Sequence, residues 1–439
     1  MKLSGWGRFP SVDCMVHAPR DEGDLVARVV AGEAIARGNG RAYGDSALSA
    51  ANTVSMRHFD HMLGFDPASG QLVAEAGVLL ADIIAAFLPR GWFPAVTPGT
   101  RFVTVGGIIA ADVHGKNHHR DGSLADFIDW IDLLGADGTI RRCSRTEHAD
   151  LFEWTIGGMG LTGIIMRAAM RLRPVETGWI RQTMIPAANL DAALAAFEAA
   201  EAATYSVAWV DCLASGSAVG RSLVMLGEHA SVAELGPKEA DDRFAMRAKS
   251  PKRMPIDAPA FMLNRLSVGA FNRLYHAKGK ASRGASLVGW QPYFYPLDAI
   301  LEWNRIYGKR GFMQFQTVLP PDRSRAGLAA LLEATAKSGS GSFLAVLKRM
   351  GPGRGGISFP MDGHTLTLDF PVRPDTLALM ERLDSIALDH GGRFYLAKDA
   401  RMSAATLARS DPRMADFSVY RATGAPGRFG SAQSQRLDL

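Results

Sequence analysis

Three glycine-punctuated segments constrain this chain more than any other feature. Arg37–Asp45 reads RGNGRAYGD, Thr104–Gly107 reads TVGG and Gly157–Gly163 reads GGMGLTG. Glycine tolerates backbone conformations and close approaches that other residues cannot. The first segment is too glycine-rich and polar for a helix. It is not a Rossmann turn, because Tyr43 stands where a third glycine belongs and no helical pattern follows. No G-x-x-x-x-G-K-[ST] run occurs, which excludes a P-loop. What remains is a run of backbone N–H groups able to nest an anion such as a pyrophosphate, set against the plain reading of a turn between strands. TVGG reads as a strand ending in two glycines, whose backbone can lie against a flat ring or a phosphate. Three such segments together point to one large, extended, anionic ligand touching several loops.

The length of 439 residues suggests roughly two or three domains. Apolar residues at 47% and charged residues at 21% exclude a disordered, collagen-like or coiled-coil chain. A net charge of +5 gives no argument for nucleic acid. Cys14, Cys143 and Cys212 are odd in number and far apart, so neither a disulfide framework nor a zinc spacing can be built. A reducing, cytoplasmic compartment is expected. The opening MKLSGWGRFP lacks the apolar region of a cleaved secretory signal. No apolar run is long enough to span a membrane.

Residues 21–31 predict an amphipathic helix with an acidic start, and Ala34–Arg37, Thr53–Arg57 and Leu72–Ala76 predict strands. Leu79–Leu88 has helical spacing. Ile128–Leu134 and Thr139–Cys143 flank Asp137-Gly138, a hairpin signal. His148–Trp154 predicts a helix and Ile164–Leu172 a strand. Beyond about residue 175, Leu190–Ala203, Leu377–Asp389 and Ala404–Arg409 read as helices. Tyr205–Leu213, Ser222–Leu226, Gln314–Leu319, Phe343–Lys348 and Thr365–Phe370 read as strands. The proline-bearing stretch 231–285 reads as irregular. Between Lys238 and Arg283 it holds 11 Lys/Arg against 4 Asp/Glu, interleaved with Met246, Met254, Phe261, Met262 and Phe271. A solvated loop is its plain reading; the sharper one is contact with an anionic membrane or a lipid-phosphate substrate.

HGKNHH at His114–His119 invites a metal reading, but Gly115 and Asn117 disfavour a helix and no carboxylate completes a ligand spacing. A polar loop beside a cofactor is expected instead, with Lys116 offering a cation. Alternation puts Gln314 and Gln316 on one face of a strand. Without further context these two read equally well as a solvated face, and Lys398 with Asp399 as a surface ion pair.

Taken together, LSGWGR at Leu3–Arg8, ARGNGRAYGD, PGTRFVTVGG, HGKNHH, GLTGIIMRA, EWNRIYG, QFQ, SFP at Ser358–Pro360, YLAKDAR and the Arg436-Leu437 pair resemble FAD-linked oxidases of the vanillyl-alcohol oxidase family. Within that family the chain is similar to the flavin subunits that oxidise polyprenyl-phosphate pentoses on the way to cell-wall arabinose donors. The resemblance implies an α+β fold: a two-subdomain, PCMH-type FAD-binding domain over 1–175 and a substrate domain on an antiparallel sheet over 176–390, carrying the basic segment 231–285. Residues 391–439 would return to the FAD domain.

The resemblance further implies a pyrophosphate bed of Arg37, Gly38, Asn39, Gly40, Arg41, Ala42, Tyr43, Gly44, Asp45 and Ser46, continued by Gly99, Thr104, Val105, Gly106 and Gly107. The isoalloxazine would lie near His114, Gly115, Asn117 and Tyr395, and the adenosine side near Gly163 and Ile164. Lys398 would stand beside the flavin and the reacting hydroxyl, with Gln316 and Lys348 in the substrate pocket. Tyr43 occupies the point where many relatives carry a flavin-linking histidine, so non-covalent FAD is expected. Pocket positions depart from the family at Thr365, Thr367 and Met350.

The implied reaction oxidises a secondary hydroxyl of the sugar to a ketone by hydride transfer to flavin N5. This is the first half of a 2′-epimerisation that a short-chain dehydrogenase/reductase partner completes. The enzyme would be cytoplasmic with a peripheral contact at the inner membrane, and would bind no metal. The alternative keeps FAD but takes an alditol or a sugar lactone, a soluble substrate that would leave the basic segment without a purpose.

Overall fold

The computed structural model describes residues 1–247, 250–259, 262–423 and 428–439. The first glycine segment leaves the end of a small parallel sheet in which Thr53–Ser55 lies between Val16–His17 and Ile35–Arg37. The crossover between the outer strands is the helix Glu22–Val30. The Asp21 side chain caps it by accepting the Asp24 N–H, and Leu25 and Val29 bury its inner face.

An antiparallel sheet follows, in the order Ile140–Ser144, Ile128–Leu134, Ile164–Pro174, Gln71–Glu75, Met62–Asp66. Trp92–Pro94 pairs with the far end of the long strand 164–174. The hairpin at Asp137-Gly138 is present, with Gly138 at φ +80° as the turn requires. The helices Leu80–Phe87 and Val105–Ala110 pack into the core of this sheet through Leu80, Ile83, Ile84, Val105, Ile108 and Ile109. TVGG is therefore not the end of a strand. Thr104 is the N-cap of a short helix, accepting the Gly107 N–H, and the glycines are its first turn.

The second large sheet has eight antiparallel strands in the order 284–289, 179–187, 222–229, 205–210, 346–350, 363–371, 312–319, 393–394. Its two faces divide cleanly by alternation. Met313, Phe315, Leu347, Leu366, Leu368 and Phe370 point to one side. There the helices Leu190–Ala199, Pro321–Ser338 and Pro374–Asp389 cover them with a continuous apolar core. Gln314, Gln316, Lys348 and Thr367 point to the other side, into a cavity.

After residue 393 the chain returns to the parallel sheet. Phe429 bridges Ala34, the Ala432 N–H donates to the Leu48 carbonyl, and Arg436 pairs with Asp45.

The stretch 231–285 is not wholly irregular. Asn264 caps a 17-residue helix, Arg265–Ala281, by accepting the Leu266 and Ser267 N–H groups. Every proline of the stretch precedes it. The helix escapes the periodicity reading because only Val268, Asn272 and Gly279 are buried, and two of those three are not hydrophobic side chains. Phe261, one of the apolar residues interleaved with the basic ones, lies outside the described residues. Among the described residues no helix is long and apolar enough to cross a membrane.

Candidate active site

A cavity of about 420 Å³ lies between the glycine loops and the polar face of the eight-stranded sheet. Gly38, Asn39, Gly40, Arg41, Ala42, Tyr43 and Ser46 form one wall. A Cβ on Gly38 would overlap Thr104 Oγ1, and one on Gly106 would lie 2.9 Å from Ala76 Cβ. Each glycine's backbone therefore packs directly against a neighbouring side chain, which leaves no room for a Cβ. Gly99, Thr104, Gly107 and Gly163 extend the same wall.

Four residues expected in the bed do not reach the cavity. Arg37 turns away, its guanidinium donating to the Ser4 carbonyl at 2.9 Å. A Cβ on Gly44 would overlap the Asp399 carbonyl, so that glycine serves packing against the returning chain. Asp45 accepts from Arg436 at 2.8 and 3.2 Å, and the same guanidinium reaches Asp399 at 2.8 Å. These groups hold the loop from behind. Val105 is buried in the core beneath it.

Arg41 is the cation on this wall. Its guanidinium carbon sits 4.0 Å from the centre of the Trp6 ring, and its Nε has no partner in the protein. Burial lowers its pKa from the ordinary value. A planar guanidinium with an unspent N–H at a cavity wall suits a phosphate oxygen.

The cavity also holds several buried titratable side chains. Lys398 follows the edge strand Arg393–Phe394, and its Nζ lies 3.8 Å from the centre of the Tyr43 ring. Enclosure by protein lowers its pKa, partly opposed by the negative charge of Asp369. Asp369 is fully buried. It accepts from the Gln314 amide and from the Tyr307 hydroxyl at 3.5 Å, and burial raises its pKa. Lys348 is pushed down to about 8 by burial, and Lys116 to about 7 by burial and the neighbouring Lys348. Lys116 donates to the Tyr293 carbonyl and lies over the Tyr293 ring.

Gln316 Nε2 donates to His114 Nε2 at 3.1 Å and to Thr365 Oγ1 at 3.2 Å. The acceptor role of Nε2 puts the imidazole proton on Nδ1, a tautomer assigned from the hydrogen-bond geometry. Burial and the Lys348 charge lower the His114 pKa well below the ordinary value and keep the ring neutral. Its Nδ1 has no partner in the protein. Tyr395 packs 5.1 Å from the His114 ring and 4.7 Å from Phe359, with its hydroxyl donating to the Ala111 carbonyl at 2.9 Å.

The structure thus brings Tyr43, His114, Gly115, Gln316, Lys348, Tyr395 and Lys398 to one cavity. Asn117 does not line it. Its amide donates to the Ala95 carbonyl and to Asp121, pinning the HGKNHH loop from beneath, and Lys116 faces the cavity instead. Ile164 is in the core of the first sheet; alternation sends Ile165 to the cavity in its place. Asp399 pairs with Arg436, so Lys398 and Asp399 are not a surface ion pair. Asp369 is the group that motif reading missed. Its signal is register: Thr365, Thr367 and Asp369 share one face of the strand Gly363–Pro371. Among the described residues no cluster of three His, Cys, Asp or Glu side chains could hold a metal ion.

The donor set fits FAD. Glycine backbone, Arg41 and the unpartnered Nδ1–H of His114 supply what a dinucleotide with a polar aromatic ring needs. Residues 15–144 match the FAD binding domain family. Decaprenylphosphoryl-beta-D-ribose oxidase of Mycolicibacterium smegmatis is 34% identical over 100% of this chain and 97% of its own length. An uncharacterized protein from the mprA 5′ region of Streptomyces coelicolor is 34% identical over 82% of this chain and 99% of its own. L-gulonolactone oxidase of Mus musculus is 28% identical over 31% of each chain. The chain belongs to the vanillyl-alcohol oxidase family of FAD-dependent oxidoreductases acting on CH–OH groups, in the branch that includes decaprenylphosphoryl-β-D-ribose oxidase.

Proposed function

We propose that the enzyme oxidises the 2′-hydroxyl of a polyprenyl-phosphate pentose to the ketone, the first half of a 2′-epimerisation that a short-chain dehydrogenase/reductase completes. The observation that carries this reading is Lys398, held over Tyr43 at the cavity wall beside Gln316, Lys348 and the neutral His114. Bound FAD supplies the acceptor for the hydride that leaves the carbinol carbon. Lys398 in its neutral form takes the hydroxyl proton, so the O–H and C–H bonds break as the C=O bond forms. Gln316, through His114, orients the sugar, and Lys348 and Lys116 add positive charge toward the substrate phosphate.

In this reading residues 1–175 with 391–439 hold FAD and 176–390 hold the substrate. Tyr43 offers no imidazole for a covalent flavin bond, so the cofactor is dissociable. The lipid tail brings the enzyme to the cytoplasmic face of a membrane. Val207, Trp209 and Met225 give the cavity an apolar side suited to a prenyl chain, which a free alditol or lactone would not use.

The test is anaerobic bleaching of the bound flavin across phosphoprenyl pentoses, free polyols and sugar lactones. The reading expects bleaching by the phosphoprenyl pentose at concentrations where the others leave the yellow colour intact. Equal or preferential bleaching by a polyol or lactone overturns it.

A further inference from the structure

The helix Arg265–Ala281 wears its amphipathic pattern inside out. Its buried side is Val268, Asn272 and Gly279: Asn272 donates to Asp211 at 2.7 Å, and Gly279 lies against Leu223 with no room for a Cβ. At 100° per residue, Leu266, Ala270, Leu274, Ala277 and Ala281 fall within about 80° on the opposite, solvent-facing side. Leu266 is 84% exposed and Leu274 73%. Arg273 and Lys280 flank this stripe on one edge and Lys278 on the other, with Arg265 in the first turn. The helix contains no Asp or Glu. An outward apolar stripe flanked by cations and free of acidic residues is costly in water and suits an interface of anionic headgroups over acyl chains.

The stripe is continuous with the cavity. Trp209 lines the cavity and packs 4.8 Å from Tyr275, which stacks 5.7 Å from Phe271. Exposure rises along this path, from 6% at Trp209 to 37% at Tyr275, 39% at Phe271 and 73% at Leu274. The aromatic side of this helix thus leads from the interior of the site toward the exposed stripe at Leu274.

We infer that residues 265–281 form an interfacial helix that lies on an anionic bilayer, with the aromatic path beside it as the route by which a prenyl chain passes from the lipid into the cavity. The role of the path rests on the polyprenyl-phosphate reading; the docking itself rests on the stripe and its charges. The helix lies in the plane of the headgroups, Leu266 and Leu274 insert, and Arg273, Lys278 and Lys280 meet lipid phosphates.

The test uses the full-length holoenzyme sedimented with vesicles of phosphatidylcholine alone or mixed with phosphatidylglycerol. Binding is expected only to the anionic vesicles, should weaken with added salt, and should fall by about fivefold for each cationic residue removed by substitution. Leu266→Glu/Leu274→Glu should bind on the order of tenfold or more weaker while retaining its flavin. Arg273→Gln/Lys278→Gln/Lys280→Gln serves as a second variant that leaves the stripe intact. No binding by the wild type, equal binding to both vesicles, or full binding by both variants overturns the inference.

Bleaching by a short-chain, detergent-free phosphoprenyl pentose separates the two readings. If the wild type bleaches but does not bind vesicles, the docking helix falls and the function stands. If it binds vesicles but does not bleach, the function falls and the helix stands.

Discussion

Lys398 Nζ lies 3.8 Å above the Tyr43 ring, and behind the pair Asp369 is held by Gln314 and Tyr307. The ring face tolerates the ammonium without a hydrogen bond, and a buried carboxylate partly offsets its desolvation. A lysine so placed is poised between its two protonation states, and either change to its surroundings moves that balance.

On the proposed mechanism, replacement of the amine removes the base and leaves the bed. Lys398→Ala should lose turnover by about 10²–10⁴. Its flavin absorbance after desalting should match the wild type. Retained activity removes the role assigned to Lys398.

The pH profile follows from the sign of the shift. Lys398 has its pKa lowered, and only its neutral form accepts a proton. kcat/KM should therefore rise with pH through that lowered value and level off above it. The Asp369 charge favours the ammonium, so Asp369→Asn should lower the Lys398 pKa further and move the rising limb to lower pH. A variant with a reduced rate but an unmoved limb would show that Asp369 matters to packing alone.

Gly38→Ala should act on cofactor affinity. The new methyl meets Thr104 Oγ1, whose displacement breaks the cap on Val105–Ala110. Overpacking of this kind costs about 1–3 kcal/mol. FAD titration into apoprotein should show roughly tenfold weaker binding, with kcat at saturating FAD less affected.

Arg436→Ala strands two carboxylates at once. Asp45 and Asp399 are both buried and share this guanidinium. Removing one partner of a buried pair costs about 3–5 kcal/mol. Urea unfolding should show that loss, and the flavin should dissociate at lower denaturant than in the wild type.

Treatment with acid or heat should release all of the flavin into the supernatant, since Tyr43 has no imidazole nitrogen to bond it. Yellow colour retained in the protein pellet would refute non-covalent attachment.

Much of the site was legible because glycine signals close approach whatever the fold around it. Gly38, Gly40, Gly106 and Gly107 all line the cavity, and alternation alone put Gln314 and Gln316 on one face. Other features depended on partners distant in sequence. Nothing local tells that Asp45 and Asp399 wait for Arg436, or that Asn117 turns inward to Ala95 while Lys116 turns out. Ile164 and Ile165 are equally apolar, and only the strand register decides which meets the ligand. The helix 265–281 was unreadable for the opposite reason: its apolar residues face solvent, so a search for a buried stripe finds none.

The Arg436 pin also orders events in time. It stands 391 residues after Asp45 along the chain. While the ribosome is still making the second sheet, the glycine loop exists but lacks its anchor. The nascent protein therefore lacks the pin behind its flavin bed until Arg436 has been translated and folded back, and its hold on the cofactor should tighten only at that point.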